Sequence, residues 1–140
     1  MKSGPIILVE DDPDDVDIFT EILKELSVSN ELLIFTNCKD AFNYLMETLD
    51  QPFIIFCDVN LPVLNGIDFK QQIDGNESLR RKSIPFVFYS TSTNQYIVNK
   101  AYTQMTVQGF FEKKSTYNEA KRMISSILDY WEECKHPNTK

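Results

Sequence analysis

Cysteine, histidine and glycine are scarce in this chain of 140 residues, which holds three Cys, one His and four Gly. The cysteines, Cys38, Cys57 and Cys134, are odd in number and form no CxxC pair. That argues against a disulfide framework and fits free thiols in a reducing compartment. With His136 alone in the tail and no cysteine expected beside the acidic residues, a zinc site has no ligand cluster to draw on. Basic residues are in deficit: 14 Lys and Arg stand against 21 Asp and Glu, a net charge of −7. Such a balance repels phosphate backbones and anionic lipid, so neither nucleic acid nor membrane is the expected partner. Long apolar runs are missing too. The stretch 53–57 falls far short of the ~18 residues that would suggest a bilayer span, and 5–9 is too brief for a signal peptide. A cytoplasmic protein is expected.

What is present is an ordinary globular composition, 42% hydrophobic and 25% charged. The length suits one domain over residues 1–140, its core running from about 5 to 134. Short apolar runs alternate with segments of helical period. Residues 5–9, 31–36, 53–57, 84–89 and 107–111 read as strands, several of them continuous apolar runs buried on both faces. Asp12 followed by Pro13 marks a helix start, with Val16, Phe19, Ile22, Leu23 and Leu26 striping one face. Asn37 caps a second helix carrying Ala41, Leu45 and Leu49. A short third helix covers about 67–73, and 74–82 reads as a polar, exposed connection. Ser92 and Gln95 have capping-box spacing before a weaker helix, and Thr116 and Glu119 have it before the last one. Five strands alternating with five helices predict an α/β fold with a parallel sheet and right-handed crossovers. Residues 138–140 read as a frayed tail.

In such a sheet, ligands sit beyond the carboxyl ends of the strands. Glu10, Asp11 and Asp12 follow the first strand, Asp58 and Asn60 the third, Ser90 the fourth, and Glu112 and Lys113 the fifth. Carboxylates held together repel one another unless a cation joins them. Hard oxygen donors in a small site favour Mg²⁺. Asp14, Asp15 and Asp17 read instead as a solvated helix start, their charges favourable at its positive end. Asp58 has two readings, a turn residue before a loop containing Pro62 and Gly66, or a carboxylate nucleophile toward phosphorus. The second needs a metal and fixed donors around the transferring group, for which Ser90 offers a hydroxyl and Lys113 a cation. Arg80, Arg81 and Lys82 could touch a phosphate, but a solvated loop is the simpler reading.

Taken in order, residues 6–13 (IILVEDDP), 58–62 (DVNLP), 84–92 (IPFVFYSTS) and 109–113 (GFFEK) resemble the receiver domain of two-component response regulators. The resemblance covers nearly the whole chain. It implies a flavodoxin-like, doubly wound five-stranded sheet of order 2-1-3-4-5. It also implies that Asp58 accepts the phosphoryl group. Asp11 would be a direct Mg²⁺ ligand, Glu10 would act through water, and Asp58 and the Asn60 carbonyl would complete the set. Ser90 and Lys113 would bond the phosphoryl group, Phe110 would be the aromatic switch residue, and Asn60 and Ser92 would govern water access. The implied donor is a histidine kinase, and the output is a downstream protein contact or phosphoryl relay through the surface of the fourth helix, fifth strand and last helix. The region around Arg80 and residues 127–131 resemble stand-alone regulators that serve phytochrome-type kinases; a homodimer is compatible with that type. Two positions depart from the pattern: Lys114 replaces the usual proline, which favours a trans Lys113–Lys114 peptide, and Glu10 replaces the commoner Asp. Other readings remain. A haloacid-dehalogenase-like phosphatase would need an acid where Asn60 stands, and a flavodoxin-type flavin module would need a phosphate loop where 10–12 are acidic. A receiver-like scaffold without phosphorylation would not need the full acid, Asp, Ser and Lys set.

Overall fold

A computed structural model describes residues 4–137. Five parallel strands, β1 (Ile6–Val9), β2 (Leu32–Phe35), β3 (Ile54–Cys57), β4 (Phe86–Ser90) and β5 (Gly109–Glu112), form one sheet of order β2-β1-β3-β4-β5. The continuous apolar runs predicted to be covered on both faces lie in the middle: every residue of β1, β3 and β4 is buried. Alternation sorts their side chains. Ile7, Val9, Ile55, Cys57, Phe86 and Phe88 face one layer, and Ile6, Leu8, Ile54, Phe56, Val87 and Tyr89 the other. The second layer holds α1 (Pro13–Glu25) and α6 (Tyr117–Glu133), with Phe19, Ile22, Ile124 and Leu128 in the core. The first holds α2 (Cys38–Glu47), α3 (Gly66–Gly75), α4 (Glu77–Lys82) and α5 (Gln95–Gln104).

Local chemistry sets the boundaries. Asp12 caps α1 by accepting from the Asp14 amide at 2.9 Å, and Asn37 caps α2 by accepting from the Asp40 amide at 2.8 Å. Thr116 caps α6 by accepting from the Glu119 amide at 3.3 Å, and its hydroxyl donates to the Glu119 carboxylate at 3.1 Å. Three expectations are corrected. The described residues hold six helices: 77–82 is helical, with Leu79 buried and Asn76 accepting from its amide at 3.0 Å. Two of its three basic residues are engaged: Arg81 pairs with Glu77, and the Lys82 ammonium donates to the Leu45 and Thr48 carbonyls at the end of α2, while Arg80 is exposed. Asn94, not Ser92, caps α5 by accepting from the Ile97 amide. Leu49 lies beyond the end of α2 and is fully exposed rather than on its apolar stripe. The expected tail at 138–140 lies outside the described residues.

Candidate metal and phosphoacceptor site

The pairing of β1 with β3 runs Ile6↔Ile54 through Val9↔Cys57, so the residues that follow, Glu10 and Asp58, emerge side by side. Backbone bonds fix both: the Glu10 amide donates to the Phe35 carbonyl at 2.9 Å, and the Asp58 amide to the Val9 carbonyl at 3.1 Å. The parallel pairing Ser90↔Glu112 brings Lys113 to the same rim, where its amide donates to the Ser90 carbonyl at 3.0 Å. Glu10 and Asp58 are buried and Asp11 is exposed. One carboxylate oxygen from each of the three falls within 4.8 Å of the others. Distant segments therefore gather hard oxygen donors beside the Asp58 carboxylate. Cys57 does neighbour this rim, contrary to the sequence reading. Its thiol donates to the Asp58 carbonyl at 3.1 Å, is fully buried, and has its pKa pushed up chiefly by that burial. The thiol is thus kept protonated, and the donor set stays one of oxygen.

Lys113 reaches the site through a trans Lys113–Lys114 peptide, there being no cis bond among the described residues. Its ammonium lies 2.5 Å from Glu10 Oε1, 2.7 Å from Asp15 Oδ2 and 3.2 Å from Asp58 Oδ2. Three N–H donors thus meet three carboxylates. Burial opposes its charge, but the bonds to Asp15 and Glu10 outweigh burial and hold its pKa above the ordinary lysine value. At Glu10 burial prevails instead, against its charged form. Burial pushes its carboxyl up to about 7, with Asp58 adding to the rise and Lys113 opposing it. A carboxylate in that position is stabilised by further positive charge.

Asp58 Oδ1 accepts from the Asn60 amide at 3.2 Å. The Asn60 side chain donates to the Ser92 hydroxyl, so these two residues form a bridge between the loops after β3 and β4. Ser90 is fully buried, and its hydroxyl oxygen accepts from the Ser92 amide at 3.1 Å. Phe110 is half-buried on β5, its ring 5.3 Å from that of Phe88, and its amide donates to the Tyr102 hydroxyl at 2.9 Å. The sequence reading missed Asp15, which it placed on a solvated face. A signal was there: Asp15, Phe19 and Ile22 are spaced i, i+4 and i+7, so Asp15 extends the buried stripe of α1 toward the rim.

A family model for the response regulator receiver domain matches residues 6–125. Response regulator Rcp1 of Synechocystis sp. is 30% identical over 131 residues, covering 90% of this chain and 87% of that protein. The phosphorylated cyanobacterial phytochrome response regulator RcpA superposes with a TM-score of 0.87 at 25% identity, covering 98% of this chain and all of the other. The Mn²⁺-bound form of Rcp1 superposes with a TM-score of 0.82 at 28% identity, over 96% and 99% of the two chains. With the sheet order and the acidic rim already in place, these matches are decisive: the chain belongs to the response regulator receiver domain family of two-component signalling.

Proposed function

We propose that this chain is a response regulator receiver that takes a phosphoryl group onto Asp58 from the phosphohistidine of a sensor kinase. The observation that carries the proposal is the convergence of Glu10, Asp11 and Asp58 carboxylate oxygens within 4.8 Å, with the Lys113 ammonium 3.2 Å from Asp58. The three carboxylates fit a divalent ion such as Mg²⁺, which Glu10, Asp11 and Asp58 would hold together with a fourth donor, the Asn60 carbonyl. Bound there, Mg²⁺ supplies positive charge against the phosphoryl oxygens during transfer. An Asp58 oxygen attacks phosphorus as the N–P bond to the donor imidazole breaks. The electron pair of that bond returns to the imidazole nitrogen, leaving an acyl phosphate on Asp58. Lys113 pairs with the new group, and the Ser90 hydroxyl, whose proton is free to point away from the Ser92 amide, donates to it.

The new charge draws Ser90 and Lys113 toward Asp58, and Phe110 follows into the space that they open. The surface of α5, β5 and α6 thereby changes its affinity for a downstream protein or relay partner. Asn60 and Ser92, already joined, control water access to the acyl phosphate. Similarity to the phytochrome response regulator RcpA supports a phytochrome-type kinase as donor.

Incubation with acetyl phosphate and Mg²⁺, followed by intact mass, tests the reading. The wild type gains one phosphoryl group, and Asp58→Asn or a chelator abolishes the gain. An unchanged wild-type mass overturns it in favour of a receiver-like scaffold.

A further inference from the structure

We infer that Asp15 is a positioning residue for Lys113: its carboxylate anchors the ammonium so that a remaining N–H points at Asp58, beside the phosphoryl group that Asp58 accepts. This rests on the phosphoacceptor reading of Asp58 and adds to it a residue outside the acidic cluster. Lys113 has three N–H donors and three carboxylate partners, Glu10, Asp15 and Asp58. Two of those partners have other duties. Glu10 and Asp58 both belong to the group of acids that converges for a cation, and Asp58 ceases to be a free carboxylate once it is acylated. Asp15 is outside that group and bonds Lys113 at 2.7 Å. It is the partner that serves Lys113 alone.

The anchor is well placed to hold. Asp15 lies in the first turn of α1, the helix fixed at its start by Asp12 and Pro13 and at its core by Phe19 and Ile22. Lys113 is fixed at its backbone by the Ser90 carbonyl, and its side chain is only 10% exposed. Four methylenes separate that backbone from the ammonium, and without an anchor their rotamers would spread the charge over several positions. A charge-assisted bond at 2.7 Å, partly shielded from water, selects one. The bond also ties α1 to the loop after β5, two segments 98 residues apart in sequence.

Two readouts test the assignment, each on the full chain, using Asp15→Ala and Asp15→Asn, with Asp14→Ala as the control for loss of a nearby charge. The first needs no metal: an amine-reactive ester is applied to metal-free protein, and labelling of Lys113 and Lys114 is followed by peptide mass spectrometry. Lys113 is expected to label several-fold faster in both Asp15 variants, with the Lys114 rate unchanged. The second is affinity for beryllofluoride with Mg²⁺, expected to fall about tenfold in the Asp15 variants and much less in Asp14→Ala. Lys113 labelling that is unchanged, or altered equally by Asp14→Ala, overturns the assignment, as does an unchanged beryllofluoride affinity. A wild type that binds no beryllofluoride overturns the phosphoacceptor reading instead, leaving the labelling comparison to decide the anchor.

Discussion

Gly66 passes directly beneath Asp58: a Cβ on Gly66 would lie 2.1 Å from the Asp58 carbonyl oxygen and 3.1 Å from the Val59 Cα. The contact is backbone against backbone, so no flexible side chain can yield. The Gly66 amide donates to the Val59 carbonyl at 2.9 Å, which holds the start of α3 against the loop after β3. Gly66 is therefore required for the close approach of α3 to the backbone of Asp58 and Val59. Gly66→Ala is expected to cost about 1–3 kcal/mol in urea denaturation and to slow phosphorylation by acetyl phosphate severalfold. Wild-type stability together with wild-type phosphorylation would show that the loop absorbs the methyl group.

A second polar cluster lies at the opposite, amino end of the strands. The Lys70 side chain is 5% exposed; its ammonium bonds Asp74 at 2.8 Å and Thr106 at 3.1 Å, and stands 5.0 Å from the centre of the Phe86 ring. Asp74 also accepts from the Thr106 amide and hydroxyl, so the pair ties α3 to the segment after α5. Removing one partner of such a pair leaves a buried charge, and Asp74→Ala is expected to destabilise by about 3–5 kcal/mol. A loss below about 1 kcal/mol in urea denaturation would mean that water reaches Lys70 readily.

The same cluster has a pH signature. Burial raises the Asp74 carboxyl, but the bonds from Lys70 and Thr106 prevail and hold it below the ordinary aspartate value of 3.8. The folded state then binds fewer protons at Asp74 than the unfolded state does. Its stabilising contribution is complete above about pH 4 and is lost as the pH falls below that value through the folded pKa. Burial lowers the pKa of Lys70, against the pull of Asp74, so folding disfavours its charged form relative to the neutral one. Urea titrations should show wild type exceeding Asp74→Asn by a constant margin near neutrality that narrows below about pH 4. A margin that does not change with pH would contradict the shift at Asp74.

His136 is the single histidine, and the structure buries it rather than leaving it in a loose tail. Its ring stacks on Phe53 with centroids 5.4 Å apart and planes 18° from parallel, and its Nε2 sits 2.6 Å from the Phe53 carbonyl oxygen. His136→Ala is expected to cost about 1–3 kcal/mol, combining ring packing with a buried hydrogen bond. Equal denaturation midpoints for the two proteins would place His136 outside the cooperative core.

The parts legible from sequence are those set by local chemistry. Apolar runs such as 6–9 and 54–57 mark strands covered on both faces, and Asp12-Pro13, Asn37 and Thr116 mark helix starts by their side-chain oxygens. The acids and Lys113 fall at strand ends, so their meeting follows once β1 lies beside β3. That neighbour relation came from the family resemblance, since alternation of elements leaves strand order open. What was not legible depends on tertiary packing. The six residues of α4 contain one apolar side chain, Leu79, too few to show a period. Leu49 continues the α2 stripe in sequence, but the chain turns extended at Thr48 before reaching it. His136 has no periodic neighbour, and its partner Phe53 is 83 residues away. Asn94 and Ser92 are both sound cap residues, and the fold chose between them: Ser92 is engaged at the rim with Asn60 and Ser90.

Among all the acids on this rim, Asp58 is the one proposed to receive the phosphoryl group. Borohydride reduction of the acetyl phosphate-treated, Mg²⁺-loaded protein converts an acyl phosphate to the corresponding alcohol, and peptide mass spectrometry locates it. Conversion is expected at Asp58 alone, in the peptide spanning the end of β3 and the loop after it. Conversion at Glu10 or Asp11, or at no carboxylate, would contradict that assignment.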